Sequence, residues 1–290
     1  MRLLLFFLLI SSYTGSIVSQ TVYKSGQQAA SEWVGISFKV PEGFQGAYDE
    51  QSKAFFMQDS KTKSITIGVY AFTNTSPIDI GEYMIASLLE QNIQVSEPQV
   101  EQLDASTLKA TYAAYINYQQ YSLIAYGRQY NTGTSVVVAA LGTEAQKLDA
   151  LTKNLLTGIS ASPNKGSQYA KMLGGKYLDA NSHHSRHSSG NNAGSIVGSG
   201  KNNMTLCSNG SYEFIDKNTT YVSAAGMSMK TGSDDSHQGQ WKLVCDMAGA
   251  FTIVLIDSQG NEYLWPIYET QNGVNVNGKD YSIMASNQCY

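Results

Sequence analysis

Apolar and polar positions alternate along most of this chain, and in two places the alternation gives way to a longer period. In "WVGISFKVPEGF", Trp33 to Phe44, the residues Ile36, Phe38 and Val40 alternate with smaller or polar neighbours. That is the period of a half-buried strand, and Pro41, Glu42 and Gly43 supply the turn after it. "KAFFMQD" and "KSITIGVYAF" predict two more strands, with Ile65, Ile67 and Val69 on one face of the second. From Ser76 to Asn92 the period lengthens. Ile80, Met84 and Leu88, with Ile78, Ile85 and Leu89, recur at helical spacing as one apolar stripe, behind Ser76 as cap and Pro77 in the first turn. Strand patterns resume in "STLKATYAAYINYQQ", "YSLIAYGRQY" and "TSVVVAALGT", with Asn131, Thr132 and Gly133 turning the chain between the last two. Thr143 to Ile159 predicts a second amphipathic helix, capped by Thr143, ended near Gly158, with Leu148, Leu151, Leu155 and Leu156 toward a core.

Strands joined by short turns form antiparallel sheets, and a helix with one apolar stripe must cover a sheet face. The expected N-terminal domain is therefore α+β, an antiparallel sheet covered by two helices. Over residues 33–160 the element order and the F-x-V-P-x-G strand-turn of "GISFKVPEGF" resemble the PsbP/Mog1-like fold. That resemblance implies an exported or interaction protein and no particular reaction. Residues 161–168, within "SASPNKGSQ", have no periodicity and are expected to be a linker.

The C-terminal half changes character. Strand-like blocks "NMTLCSNGSYEFI", "TTYVSAA", "GQWKLVCDMAG", "AFTIVLIDSQGNEYLWPIYET" and "GVNVNGKDYSIM" are punctuated by Asn209-Gly210, Gly249, Gln259-Gly260, Asn272-Gly273 and Asn277-Gly278. Short strands with Asn-Gly turns predict an all-β sandwich or barrel. The succession "LGGKYL", a Ser/Gly-rich stretch, "TLCSNGSYEF", "GQWKL" and "NGKDY" resembles a small lipocalin-like β-barrel module of exported bacterial proteins, over residues 169–290. By that likeness, residues 181–203, "NSHHSRHSSGNNAGSIVGSGKNN", form a disordered loop joining two barrel strands.

The chain start bears on location. Arg2, the apolar run Leu3 to Ile10 and the polar, small-residue region Ser11 to Ser19 have the three-part layout of a secretory signal peptide, residues 1–19. The run is shorter than the roughly 20 residues that span a bilayer, no later apolar segment is long enough for a membrane helix, and no cysteine is placed for a lipid anchor. The expected protein is secreted or periplasmic. Its net charge of −4 and 14 % charged residues disfavour nucleic acid, which rewards clustered Lys and Arg. Of the three cysteines, Cys207, Cys245 and Cys289, an oxidising compartment allows one disulfide. Cys289 could staple the chain end to either of the others.

Candidate chemistry is sparse. His183, His184 and His187 could bind a metal, but they sit among Ser, Asn and Gly with no neighbouring carboxylate to orient a ring, so a solvated loop is the expectation. His237, in "DDSHQGQW", could bind a cation together with Asp234 and Asp235, but a solvated hairpin tip is the expectation. There is no G-x-S-x-G elbow, HExxH, Walker or dinucleotide motif, and no cofactor is implied. Aromatics are plentiful in the barrel blocks. Tyr212, Phe214, Trp241, Tyr263, Trp265 and Tyr281 are candidates to line a small-ligand cavity, against the plainer reading that they fill the barrel. The tyrosines of "YAAYINYQQYSLIAYGRQY" could serve a protein interface. The expected function is non-catalytic binding, with a protein surface or a small apolar ligand as partner. The alternatives are a secreted hydrolase with dispersed acidic residues and metal binding through the histidine tract.

Overall fold

Ile65, Ile67 and Val69 fall on one buried face, as their alternation requires. The computed structural model describes residues 21–180, 182–187, 195–224, 227–286 and 289. The expected signal peptide, residues 1–19, lies outside the described residues. Two compact units make up the chain. One runs to Ser167 and takes in Cys245–Gly249; the other comprises Gln168–Val244 and Ala250–Tyr290.

The first unit holds β1 (Tyr23–Lys24), β2 (Gln28–Ser31), β3 (Ile36–Lys39), β4 (Phe44–Asp49), β5 (Ala54–Asp59) and β6 (Thr66–Thr73), then α1 (Pro77–Glu90). After it come β7 (Gln94–Val95), β8 (Gln99–Gln102), β9 (Thr107–Ile116), β10 (Gln119–Gln129), β11 (Thr134–Gly142), α2 (Ala145–Gly158) and β12 (Ser160–Ala161). Nine strands form one sheet in the order β1-β4-β5-β6-β11-β10-β9-β7, with β8 also on β9. A smaller sheet has the order β12-β3-β2. Neighbouring strands in both sheets pair antiparallel. Ile124, Tyr126, Val136, Val138 and Ala140 alternate onto one face and cluster with Leu148, Leu155 and Leu156 of α2 and with Ile36 and Phe38 of β3. Leu123, Ala139 and Leu141, on the alternate positions, meet Met84 and Leu88 of α1.

Three local details differ from the sequence expectation. Ser76 does cap α1, in a reciprocal box with Asp79. Yet only part of the α1 stripe is buried: Ile80, Met84 and Leu88 are, whereas Ile78 and Leu89 stay more than half exposed. A stripe of six is wider than the strip of helix that touches the sheet. Second, α2 is capped at Glu144 without a side-chain bond, so Thr143 stands one residue outside the cap position. Third, the expected linker is partly helical. Buried Asn164 accepts a hydrogen bond from the Ser167 amide (2.6 Å) and so caps α3 (Lys165–Leu173).

In the second unit the strands are β13 (Lys176–Asp179), β14 (Ser182–His187), β15 (Ser195–Leu206), β16 (Ser211–Ala224) and β17 (Met227–Asp234), followed by β18 (His237–Cys245), β19 (Phe251–Asp257), β20 (Glu262–Thr270), β21 (Gly273–Val276) and β22 (Lys279–Ala285). Eight of them close an antiparallel barrel in the ring β13-β22-β21-β20-β19-β18-β16-β15, with β15 pairing back onto β13. That closure is consistent with the lipocalin-like expectation. Strands β15 and β16 outlast the ring: Ser195–Gly200 pairs with β14, and Lys217–Ala224 pairs with β17.

The histidine tract is therefore not the loop expected from its composition. His183, His184 and His187 lie on β14, in register with Ser199, Gly198 and Ser195. A ladder is made by backbone N–H and C=O groups, which Ser, Gly and His all carry, so a poor strand composition is overridden when a long partner strand is at hand. The side chains of these histidines, and residues 181 and 188–194, lie outside the described residues. Cys207 pairs with Cys289 (Cα–Cα 5.2 Å), and Cys245 is a buried free thiol. The chain end is thus tied to the β15–β16 turn.

Candidate functional site

The barrel interior is set by alternation. Leu178, Met204, Leu206, Leu243, Ile253, Leu255, Ile267, Val274 and Val276 point inward and form one apolar cluster. At one end Leu173 of α3 joins this cluster, and Tyr169 packs on Phe251 with ring centroids 4.6 Å apart. At the other end the lining is aromatic and polar.

There His237 begins β18. Register sets it opposite Phe214 of β16. Its ring stacks flat on Tyr263, with centroids 4.5 Å apart and planes 8° apart. Phe214 lies 4.9 Å away and Trp265 6.0 Å away, and Phe214 meets Trp265 edge to face at 4.9 Å. Nδ1 of His237 shares a 2.7 Å hydrogen bond with the Tyr212 hydroxyl. Nε2 is buried and has no hydrogen-bond partner among the described residues. Tyr263 in turn reaches the half-buried Asp257 carboxylate through its hydroxyl (3.3 Å).

Electrostatics follow from that packing. Burial among rings disfavours the imidazolium and holds His237 below the usual histidine range, although Asp235 and Asp257 pull the other way. Burial also pushes the Tyr212 hydroxyl up to about 12, so it stays protonated. Asp257 is held below the usual carboxylate range by the Asn261 side chain and by backbone amides. The site is a neutral aromatic floor beneath a rim that carries negative charge.

The six lining candidates all belong to, or pack against, the barrel core. Tyr212, Phe214, Tyr263 and Trp265 converge on His237. Trp241 lies elsewhere, donating its indole N–H to the Cys207 carbonyl (2.8 Å). Tyr281 donates to the side chain of Asn202, a buried polar pair separate from the histidine. His237 itself is a correction: it is no solvated tip. The turn consists of Asp235 and Ser236, and Asp234 is engaged by Ser236 and by Lys217 (3.1 Å). The signal was present in "HQGQWKLV". Trp241 and Leu243 share an inward face, and counting back by twos from them reaches Gly239 and His237. Gly239 is needed where it stands, because a Cβ there would lie 2.0 Å from the Ile256 carbonyl on the neighbouring strand.

Among the described residues, no group of three or more His, Cys, Asp or Glu is placed to hold a metal ion. His183, His184 and His187 fall outside that statement, since their side chains are not described. No protein-family model matches the chain, and no curated protein matches it significantly. The PsbP/Mog1-like resemblance of the first unit accordingly rests on element order and one strand-turn alone.

Proposed function

We propose that this is an exported, non-catalytic binding protein whose ligand site is the aromatic end of the C-terminal barrel. The observation that carries the proposal is the convergence of Phe214, Tyr263 and Trp265 around a buried histidine nitrogen with no hydrogen-bond partner among the described residues. Buried polar atoms are almost always paired, and an unpaired one is a frequent mark of a site completed by something else. Small-molecule sites are mostly apolar and aromatic with few polar groups, and this end of the barrel has that character. Trp265 and Tyr263 keep part of their surface exposed, so a ligand has rings to stack on.

Export is supported by the layout of residues 1–19 and by the Cys207–Cys289 disulfide, a bond that persists in oxidising compartments. The test is a titration of tryptophan fluorescence with naphthalene. A saturable one-to-one change, lost in Trp265→Leu, is the expected result; no saturable change would reject a small-ligand site.

One observation favours a protein partner instead. At the β9–β10 turn, Asn117 and Tyr118 both have positive φ, and Tyr118 is fully exposed with Tyr115 nearby at 41 %. A tyrosine held in the left-handed region costs about 1–2 kcal/mol, and a strained, fully exposed ring at a hairpin tip fits use as a contact. Loss of a stable partner complex in Tyr118→Gly, with the fold unchanged, would support that reading.

A further inference from the structure

The hydrogen bond between Tyr212 and His237 decides what the aromatic end can take. The Tyr212 hydroxyl is buried, protonated, and has Nδ1 of His237 as its hydrogen-bond partner. If Tyr212 donates to Nδ1, its hydrogen is used and Nε2 carries the ring proton. In the other tautomer Nδ1–H points at Tyr212, the tyrosine hydrogen loses this acceptor, and Nε2 is left as a bare lone pair. The first arrangement leaves one unsatisfied group and the second leaves two, so the first is favoured. Nε2–H is then a buried donor with no acceptor among the described residues.

Two further features narrow the ligand. The ring of His237 lies flat under Tyr263, whose hydroxyl is held at the rim by Asp257 at the long distance of 3.3 Å. Tyr263 is partly exposed at this end of the barrel. The charged groups that bear on His237 are Asp235 from the turn before β18 and Asp257 from the end of β19, both negative. An anion entering here would meet the repulsion of both carboxylates.

We infer that the barrel end selects a neutral planar aromatic compound carrying a hydrogen-bond acceptor, which takes the Nε2–H of His237 while stacking in place of Tyr263. This rests on the proposed ligand site and adds its selectivity. Tyr212 is the positioning residue, because it fixes the tautomer.

Three probes test it: naphthalene, 2-acetylnaphthalene and 2-naphthoate, each titrated against wild type and His237→Phe by tryptophan fluorescence. In wild type, 2-acetylnaphthalene is expected to bind roughly tenfold tighter than naphthalene, the size of one net hydrogen bond in a dry site. It should also exceed 2-naphthoate. In His237→Phe the ratio of ketone to naphthalene affinity should fall from about tenfold to about one, whatever the substitution does to naphthalene itself. If none of the probes binds, the ligand site itself is rejected. If naphthalene binds but the ketone gains nothing, keeps its gain in His237→Phe, or is outdone by 2-naphthoate, the site stands and this inference falls. Should His237→Phe not fold, Tyr212→Phe decides. It should lower the ratio of ketone to naphthalene affinity severalfold, and an unaltered ratio would overturn the inference.

Discussion

A histidine that begins a barrel strand, rather than one of three in a histidine tract, is the residue with the most unusual surroundings in this protein. Its protonation carries a measurable consequence. The folded state lowers the affinity of His237 for a proton, so the unfolded chain binds more protons just below its own value of about 6.5. Stability contributed by the neutral ring is therefore complete above that pH and is lost as pH falls toward the folded value. The difference in unfolding free energy between wild type and His237→Phe should shrink on acidification through that window. Chemical denaturation at a series of pH values checks this, and a difference independent of pH would show that the ring is solvated. Cys245 gives a second prediction at this scale. Burial, with help from Asp246, pushes its thiol up to about 12, and thiolate is the reactive form. Maleimide should leave the native protein unlabelled near neutral pH and modify one thiol per chain once it is unfolded.

At the scale of elements, Asn164 illustrates how a short polar residue can organise a junction that composition presents as a linker. It caps α3 through Ser167 and also donates to the Thr132 carbonyl (2.8 Å) and the Thr134 hydroxyl (3.1 Å). Asn164→Ala should cost about 2–4 kcal/mol, the sum of a cap and two buried bonds left half-made. Urea unfolding measures it. Ser76→Ala, by contrast, removes one exposed cap and should cost about 1 kcal/mol. What was legible in the sequence follows the same division. Periodicity found α1, α2 and the long strands β6, β9, β10 and β11, because those elements are held by their own apolar faces. It missed α3, whose start depends on a side chain reaching back to Thr132, and it missed β14, which is held by backbone pairing to β15. The exposure of Ile78 and Leu89 was also hidden, since a sequence shows how wide an apolar stripe is and not how much of it a neighbour covers.

For the whole molecule, strands and turns alone left sandwich and barrel both open; the lipocalin-like resemblance implied closure, and the return of β15 onto β13 is consistent with it. The disulfide pairing was equally open, because three cysteines on a barrel of undetermined register could pair in more than one way. Now that Cys207 and Cys289 are joined across 82 residues, chain entropy assigns the bond up to about 4.5 kcal/mol. Cys207→Ser should lower the stability of the second unit by several kcal/mol, read by thermal unfolding with and without reductant; equal curves would show that the bond adds nothing. The candidate site was half legible. Its aromatic residues were visible as a population, but which four of them converge depends on register, and the histidine at their centre was concealed by the acidic turn beside it.

The aromatic end of the barrel is proposed to hold a small molecule, and the most direct measurement is native mass spectrometry of the protein recovered from its native source. The expected spectrum shows one neutral organic molecule per chain, present in wild type and missing from Trp265→Leu. Bare protein mass in both, or the same adduct in both, would contradict it.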